Sequence, residues 1–219
     1  VWKQSGKNLK VADCSVKMEG KLAVLTVNYA LEAGNNYIAQ YTIYPSGVVH
    51  ASLKFTPVEA EEVPRIGVRF RLPSTMNQVQ YLGRGPEENY ADRHKGTLVG
   101  LYKTTAEEMY YPYVRPQENG HHTDTRWLSL TMPQGKGLLI EGDSLIFFNA
   151  FRNSVEDFES EESDADYQWR NMSKQEIANR DPEKAKNVLR KQTHEYDIVP
   201  RDFVEVCVDM KQSGVGGYD

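Results

Sequence analysis

The property that most restricts this chain is a hydrophobic period of two. From Lys21 the sequence reads K-L-A-V-L-T-V-N-Y-A-L, so Ala23, Leu25, Val27, Tyr29 and Leu31 fall on one face of an extended chain. Lys21, Thr26 and Asn28 interrupt the stripe that a helix would need. Gly34-Asn35-Asn36 then supplies turn residues, N-Y-I-A-Q-Y-T-I-Y resumes the pattern, and Pro45-Ser46-Gly47 turns the chain again, which predicts two hairpins in succession. The same rhythm returns in V-V-H-A-S-L-K-F, R-I-G-V-R-F-R-L, N-Q-V-Q-Y-L-G, R-W-L-S-L-T-M, G-L-L-I-E-G, S-L-I-F-F-N-A, T-H-E-Y-D-I-V and F-V-E-V-C-V-D-M. With edge segments this makes on the order of a dozen strands, the pattern of an all-β sandwich.

One region departs from the rhythm. An acidic run lies between Glu156 and Asp166, Ser173-Lys174-Gln175-Glu176 has the form of a capping box, and Asp181-Pro182-Glu183 has the form of an N-cap followed by proline. These signals predict a short helix from about Pro182 to Gln192. Because the region separates strands of one apparent sheet, residues 158–191 read as a surface insertion in a single domain spanning residues 1–219.

A chain of 219 residues can bury roughly 70% of the surface that its unfolded form exposes, enough for one sizeable core. Its net charge of -5 argues against wrapping a phosphate backbone, and no run of about 18 apolar residues is available to span a bilayer. Nucleic acid and membrane are therefore not expected as partners. The first residues, V-W-K-Q-S-G-K-N-L-K, lack a basic-then-apolar signal pattern, as would any chain that begins within a longer protein. A soluble chain is expected, with cytoplasm and periplasm both open as compartments. Cys14 and Cys207 are the only cysteines, belong to no C-x-x-C pair and lie in alternating segments, so both are expected as small buried core residues.

Two segments are too polar and too patterned for ordinary loops. Y-L-G-R-G-P-E-E-N-Y-A-D-R, Tyr81 to Arg93, has the glycine spacing of a dinucleotide loop, but Pro86 and the polar run after it provide no apolar helix face. The expected role is architectural: Gly83 and Gly85 permit sharp backbone geometry, while Glu87, Glu88, Asn89, Asp92 and Arg93 lock a long loop. P-Y-V-R-P-Q-E-N-G-H-H-T-D-T-R-W, Pro112 to Trp127, offers His121, His122 and Asp124. Adjacent strand residues point to opposite faces, so one site gathers too few ligands for zinc, and no metal site is expected. The histidines are expected at a loop rim, and Glu118 and Arg126 as partly buried hydrogen-bonding groups that serve the fold.

Together these motifs resemble the C-terminal domain of the large β-galactosidases of glycoside hydrolase family 2. The final stretch, H-E-Y-D-I-V-P-R-D-F-V-E-V-C-V-D-M-K-Q-S-G-V-G-G-Y-D, is similar to the end of that domain. The resemblance implies a β-supersandwich of the galactose mutarotase-like type with one short helical excursion. It also implies a fragment of a multidomain retaining glycosidase whose paired carboxylates stand about 5 Å apart on a catalytic barrel elsewhere in the polypeptide. On this basis the chain has no catalytic residues of its own and no cofactor, Mg or Na being held by other domains of the parent. Its partners are those domains, chiefly the barrel, and a galactoside in the full enzyme.

In that family an active-site tryptophan follows the G-G-x-D turn and an R-A-P-x-D-N-D segment precedes the region resembling V-W-K-Q-S-G-K-N-L, which would put both contributions to the sugar site just beyond this sequence. The residues expected next to the sugar are Gly216, Gly217, Tyr218 and Asp219, with Glu118, Asn119, Gly120, His121 and His122 as a second group. Gly83, Gly85, Asn89, Arg93 and Arg126 are expected to serve loop architecture. Two other functions fit the same fold class. An aldose 1-epimerase would use a histidine of N-G-H-H-T with a carboxylate, although the matching C-terminal glutamate segment is missing, and a carbohydrate-binding module would use exposed tyrosines as a stacking platform.

Overall fold

A computed structural model describes residues 8–31, 36–56, 63–114, 117–158, 174–180 and 198–212. The all-β class holds: these residues form ten strands in two antiparallel sheets, with one short α-helix. The chain divides into two compact units, Val1–Pro64 and Arg65–Asp219.

The first unit is a four-stranded meander of β1 (Lys10–Glu19), β2 (Leu22–Ala30), β3 (Asn36–Ile43) and β4 (Val49–Thr56) in sequence order. Gly20, at φ 64°, closes the tight β1–β2 connection, in which Glu19 pairs with Leu22. The Pro45-Ser46-Gly47 turn forms as expected: Gly47 N donates to Tyr44 O at 2.9 Å and Tyr44 N to Val48 O at 2.9 Å. Val24, Val27 and Ala39 of the two central strands are buried. The edge strand β1 is exposed on both faces, and Cys14 with it, contrary to its expected burial. Alternation alone could not reveal this, because an edge strand carries the same period as a central one.

The second unit is a six-stranded sheet of β5 (Arg65–Pro73), β6 (Gln78–Gly85), β7 (Leu98–Thr105), β8 (His122–Thr131), β9 (Gly137–Phe151) and β10 (Phe203–Gln212), in the order β5-β10-β9-β8-β6-β7. The segments G-L-L-I-E-G and S-L-I-F-F-N-A are one continuous strand, β9, whose pairing with β8 shifts register around Thr125. In T-H-E-Y-D-I-V, Ile198 and Val199 are not in a strand, and the preceding residues lie outside the described ones. A 3₁₀ turn spans Val155–Phe158 and the helix α1 spans Lys174–Arg180, beginning within the S-K-Q-E capping signal. The helix expected from Pro182 lies outside the described residues.

Strand β10 is buried on both faces, which explains its unusual alternation of valines with polar residues. Val204 and Val206 join Tyr81, Leu128, Leu130, Phe148 and Ala150 in the apolar core, which Met109 covers from the loop after β7. Glu205, Cys207 and Asp209 turn to the opposite face and are buried there. Phe148 is fully buried, with its ring 5.1 Å from Tyr81 in an edge contact and 5.3 Å from His122. Phe148→Ala should therefore cost about 3–5 kcal/mol, whereas Val16→Ser on exposed β1 should change stability by no more than about 0.5 kcal/mol. Urea unfolding of the two variants checks this ranking, and equal shifts would contradict it.

Candidate functional site

Both polar motifs meet over the buried polar face of β10. The Y-L-G-R-G-P-E-E-N-Y motif runs out of β6 into the loop before β7, and P-Q-E-N-G-H-H-T leads into β8. Asn89 joins them. Fully buried, it donates from its side-chain nitrogen to Arg84 O at 3.1 Å and Glu87 O at 3.0 Å, and it accepts from Thr123 N at 2.9 Å and Thr123 Oγ1 at 2.6 Å. Its backbone N–H donates to His121 O at 2.7 Å. Its side chain thus ties four backbone or hydroxyl groups across the two loops, which needs a group carrying both donors and an acceptor.

Glu88 forms a second tie. Its carboxylate accepts from Arg93 Nη2 at 2.9 Å, from Gly120 N at 2.6 Å and from the Tyr113 hydroxyl. Gly120 sits at φ 64°, and a Cβ there would lie 2.3 Å from Met109 O, so glycine is required for both conformation and space. The Arg93 guanidinium lies 4.4 Å over the Tyr90 ring, Tyr90 stacks on His121 at 5.2 Å, and His121 meets the edge of Phe147 at 5.5 Å. Gly83 and Gly85 are part of strand β6 and not of a sharp turn. Their role is room: a Cβ on Gly83 would lie 2.5 Å from Thr125 Oγ1 and one on Gly85 2.3 Å from the Tyr81 hydroxyl.

Below the loops, Arg65 at the start of β5 is the hub of an ion network. It donates to Asp209 Oδ2 from Nε at 2.9 Å and from Nη2 at 2.7 Å, to Asn149 Oδ1 at 3.3 Å and to Glu118 Oε2 at 3.4 Å. Asn149 closes the ring by donating to Glu118 Oε1 at 3.0 Å. The Asp209 side chain is 3% exposed and that of Glu118 16%. Burial lifts both carboxyls above the ordinary range, with the Arg65 charge opposing the rise. Burial also pushes the neighbouring Cys207 thiol up to about 12, so it is an inert thiol at neutral pH. Arg65, Asp209, Asn149 and Gln212 were not singled out from the sequence. The available signal was a lone polar residue in an apolar strand run, as in F-F-N-A and V-C-V-D-M.

His121 and His122 are buried rather than at a rim, because the loop folds down onto the sheet. Burial depresses the pKa of both, that of His121 strongly, with the Arg65 charge as a second cause there. The two ring nitrogens of His122 face carbonyls, Gly120 O at 2.9 Å and Pro86 O at 3.1 Å, and the neutral ring donates to one of them. Asn119 is buried too, accepting from Tyr111 N at 3.0 Å and donating to Gln117 O at 2.8 Å. Arg126, expected as partly buried, is exposed, and its Nη1 donates to Asp124 O at 2.5 Å. Removing it should therefore cost no more than about 0.5 kcal/mol. Gly216, Gly217, Tyr218 and Asp219 lie outside the described residues. The arrangement pairs or buries its titratable groups and fixes the two loops to one another.

The histidines give this device a pH signature. A group whose folded pKa is depressed binds fewer protons folded than unfolded, so its neutral form adds stability above the unfolded value near 6.5 that is lost as pH falls below it. Each such histidine steepens the fall by up to about 1.4 kcal/mol per pH unit. Urea midpoints measured from pH 7.5 to 5 should fall, and His121→Asn should show a shallower slope than the unsubstituted chain. An identical slope would contradict a neutral buried His121.

The chain matches the family described as the beta galactosidase small chain over residues 1–219. It is 32% identical over 221 residues to a beta-galactosidase of Priestia megaterium, with 100% of this chain and 18% of that protein covered. It is 28% identical over 222 residues to a beta-galactosidase of Streptococcus thermophilus, covering 100% of this chain and 19% of the relative. With a beta-galactosidase of Arthrobacter sp. it shares 44% identity over 80 residues, 36% of this chain. The chain thus spans about a fifth of the length of these full-coverage relatives. With its whole length matched, the chain belongs to the beta-galactosidase small-chain family, a domain of glycoside hydrolases.

Proposed function

We propose that this chain is a non-catalytic domain of a β-galactosidase that packs on the catalytic barrel and completes the wall of the sugar site. The observation that carries the reading is the coverage: the family match takes in the whole chain, while the chain accounts for only 18% of the Priestia relative. The remainder of such a protein has room for a barrel holding a carboxylate pair, and the described residues here tie their buried carboxylates to arginines and backbone groups. Exposed apolar side chains support a packing role. Leu98, Val99 and Leu101 lie on β7, the outer strand of the six-stranded sheet, and Val114 on the following loop is 83% exposed. An apolar edge of this kind invites pairing or aggregation unless another part of the protein covers it.

The burial of His121 and His122 counts against the epimerase alternative, because a proton donor and acceptor for a hexose must be reachable by it. In this reading Gly216, Gly217, Tyr218 and Asp219 border the sugar, with Glu118, Asn119, His121 and His122 as a second group.

The purified chain should fold without hydrolysing a chromogenic β-galactoside and should leave the mutarotation rate of fresh α-galactose unchanged in polarimetry. Turnover lost on replacing a single glutamate of this chain would overturn the non-catalytic assignment. Faster mutarotation abolished by His121→Ala or His122→Ala would make the chain an epimerase instead.

A further inference from the structure

The two outer strands of the six-stranded sheet are finished differently. On β5 the chain places Arg69 and Arg71, paired with Glu156 and Glu205, and the strand ends at Pro73. Charges and proline at an edge discourage another strand from joining it. On β7 the run L-V-G-L-Y-K has one charge, that of Lys103, and Leu98 and Leu101 are 75% and 58% exposed. No strand among the described residues lies beyond it.

The outward backbone groups of β7 follow from its register. Ala106 N donates to Asn77 O at 2.9 Å, in line with the pairing of Thr104, Tyr102, Gly100 and Leu98 to β6. Alternate residues of an antiparallel ladder turn their N–H and C=O to the neighbour, so those of Thr97, Val99, Leu101, Lys103 and Thr105 turn away from β6. Side chains of this chain take up the two ends: Thr97 O accepts from Arg84 Nη1 at 2.8 Å, and Thr105 N donates to Glu108 Oε2 at 3.1 Å. Between them Val99, Leu101 and Lys103 have no strand partner among the described residues. Tyr102 keeps clear of this stretch. Its hydroxyl reaches back to donate to Leu98 O at 2.9 Å, and its ring lies 5.5 Å from Tyr81 and close over Gly100, where a Cβ would lie 3.0 Å from it.

Only an extended chain offers donors and acceptors at this spacing. A second copy is a poor fit, because 8 residues make an edge about 27 Å long and about 10 Å deep, roughly 270 Å² against the roughly 800 Å² per partner of a stable dimer. A tethered strand needs less area, since its effective concentration is set by the linker. We propose that β7 accepts a strand from the rest of the parent polypeptide, outside residues 1–219, through the backbone of Val99, Leu101 and Lys103, with apolar side chains of that strand against Leu98, Val99 and Leu101. This deepens the reading above, in which the chain is one domain of a larger β-galactosidase, and rests on it.

Hydrogen–deuterium exchange of Leu98–Thr105, followed by mass spectrometry on this chain alone and on the parent polypeptide, tests the proposal. The inward amides should be protected in both, and about three more, those of Val99, Leu101 and Lys103, only in the parent. Leu101→Pro, made in the parent, removes one outward N–H without touching the β6 ladder. It should free the other two outward amides and leave the inward ones protected, which keeps the test intact where the chain does not fold alone. Outward amides that exchange as fast in the parent as in the chain overturn the proposal. Protection already present in the chain alone also overturns it: a dimer in light scattering makes the occupant a second copy, and a monomer makes it a segment of this chain. Protection gained in the parent at residues 111–114 but not on β7 leaves the packing reading standing without strand addition, whereas hydrolysis by the chain alone removes that reading and the proposal with it.

Discussion

A partly buried guanidinium, that of Arg65, organises the polar face of the second unit around the enclosed Asp209. Taking the Asp209 carboxylate out of water costs several kcal/mol, and the two hydrogen bonds from Arg65 offset it. The consequence is that β5, β9, β10 and the loop before β8 cannot be placed independently: each contributes one polar group that the others leave unsatisfied if it moves. Apolar packing on the opposite face, around Phe148, Leu128 and Val206, is non-directional and would tolerate small slips. The ion network supplies the register that the apolar face does not.

The loops above it follow the same logic with neutral groups. Asn89 and Glu88 each satisfy backbone N–H or C=O groups that the loop conformation takes out of water, and Gly120 lets the chain pass close to Met109. The stack of Arg93, Tyr90 and His121 then seals the polar face from above. Two motifs far apart in sequence are one structural object. Their carboxylates and histidines are tied to arginines, backbone groups and aromatic rings.

The all-β class and the turn at Pro45-Ser46-Gly47 could be read from the sequence, because they rest on local spacing and turn chemistry, whereas the helix at Lys174–Arg180 starts at a capping signal to which the sequence reading assigns no helix. The resemblance carried by the two motifs also held, since the family match spans the whole chain. Burial was less legible. Cys14 sits in a strand whose period is indistinguishable from that of Cys207, yet one is exposed and the other enclosed, because strand order within a sheet is a long-range property. Arg126 and His121 were exchanged in the same sense: the charged residue lies in water, and the histidine beside the loop turn is enclosed. The Arg65 hub escaped notice because its members come from separate strands and from one loop, and no local window contains two of them.

The central claim is that the charged motif residues are coupled to one another in the service of the fold. A double-mutant cycle on Arg65 and Asp209 tests it most directly, with Arg65→Met and Asp209→Leu made singly and together and unfolding followed in urea. Arg65→Met strands the enclosed Asp209 carboxylate and should cost about 3–5 kcal/mol, Asp209→Leu leaves Arg65 its Glu118 partner and should cost less, and the double change should cost at least about 2 kcal/mol less than the sum. Additive costs would show that the two residues contribute independently and would contradict the account.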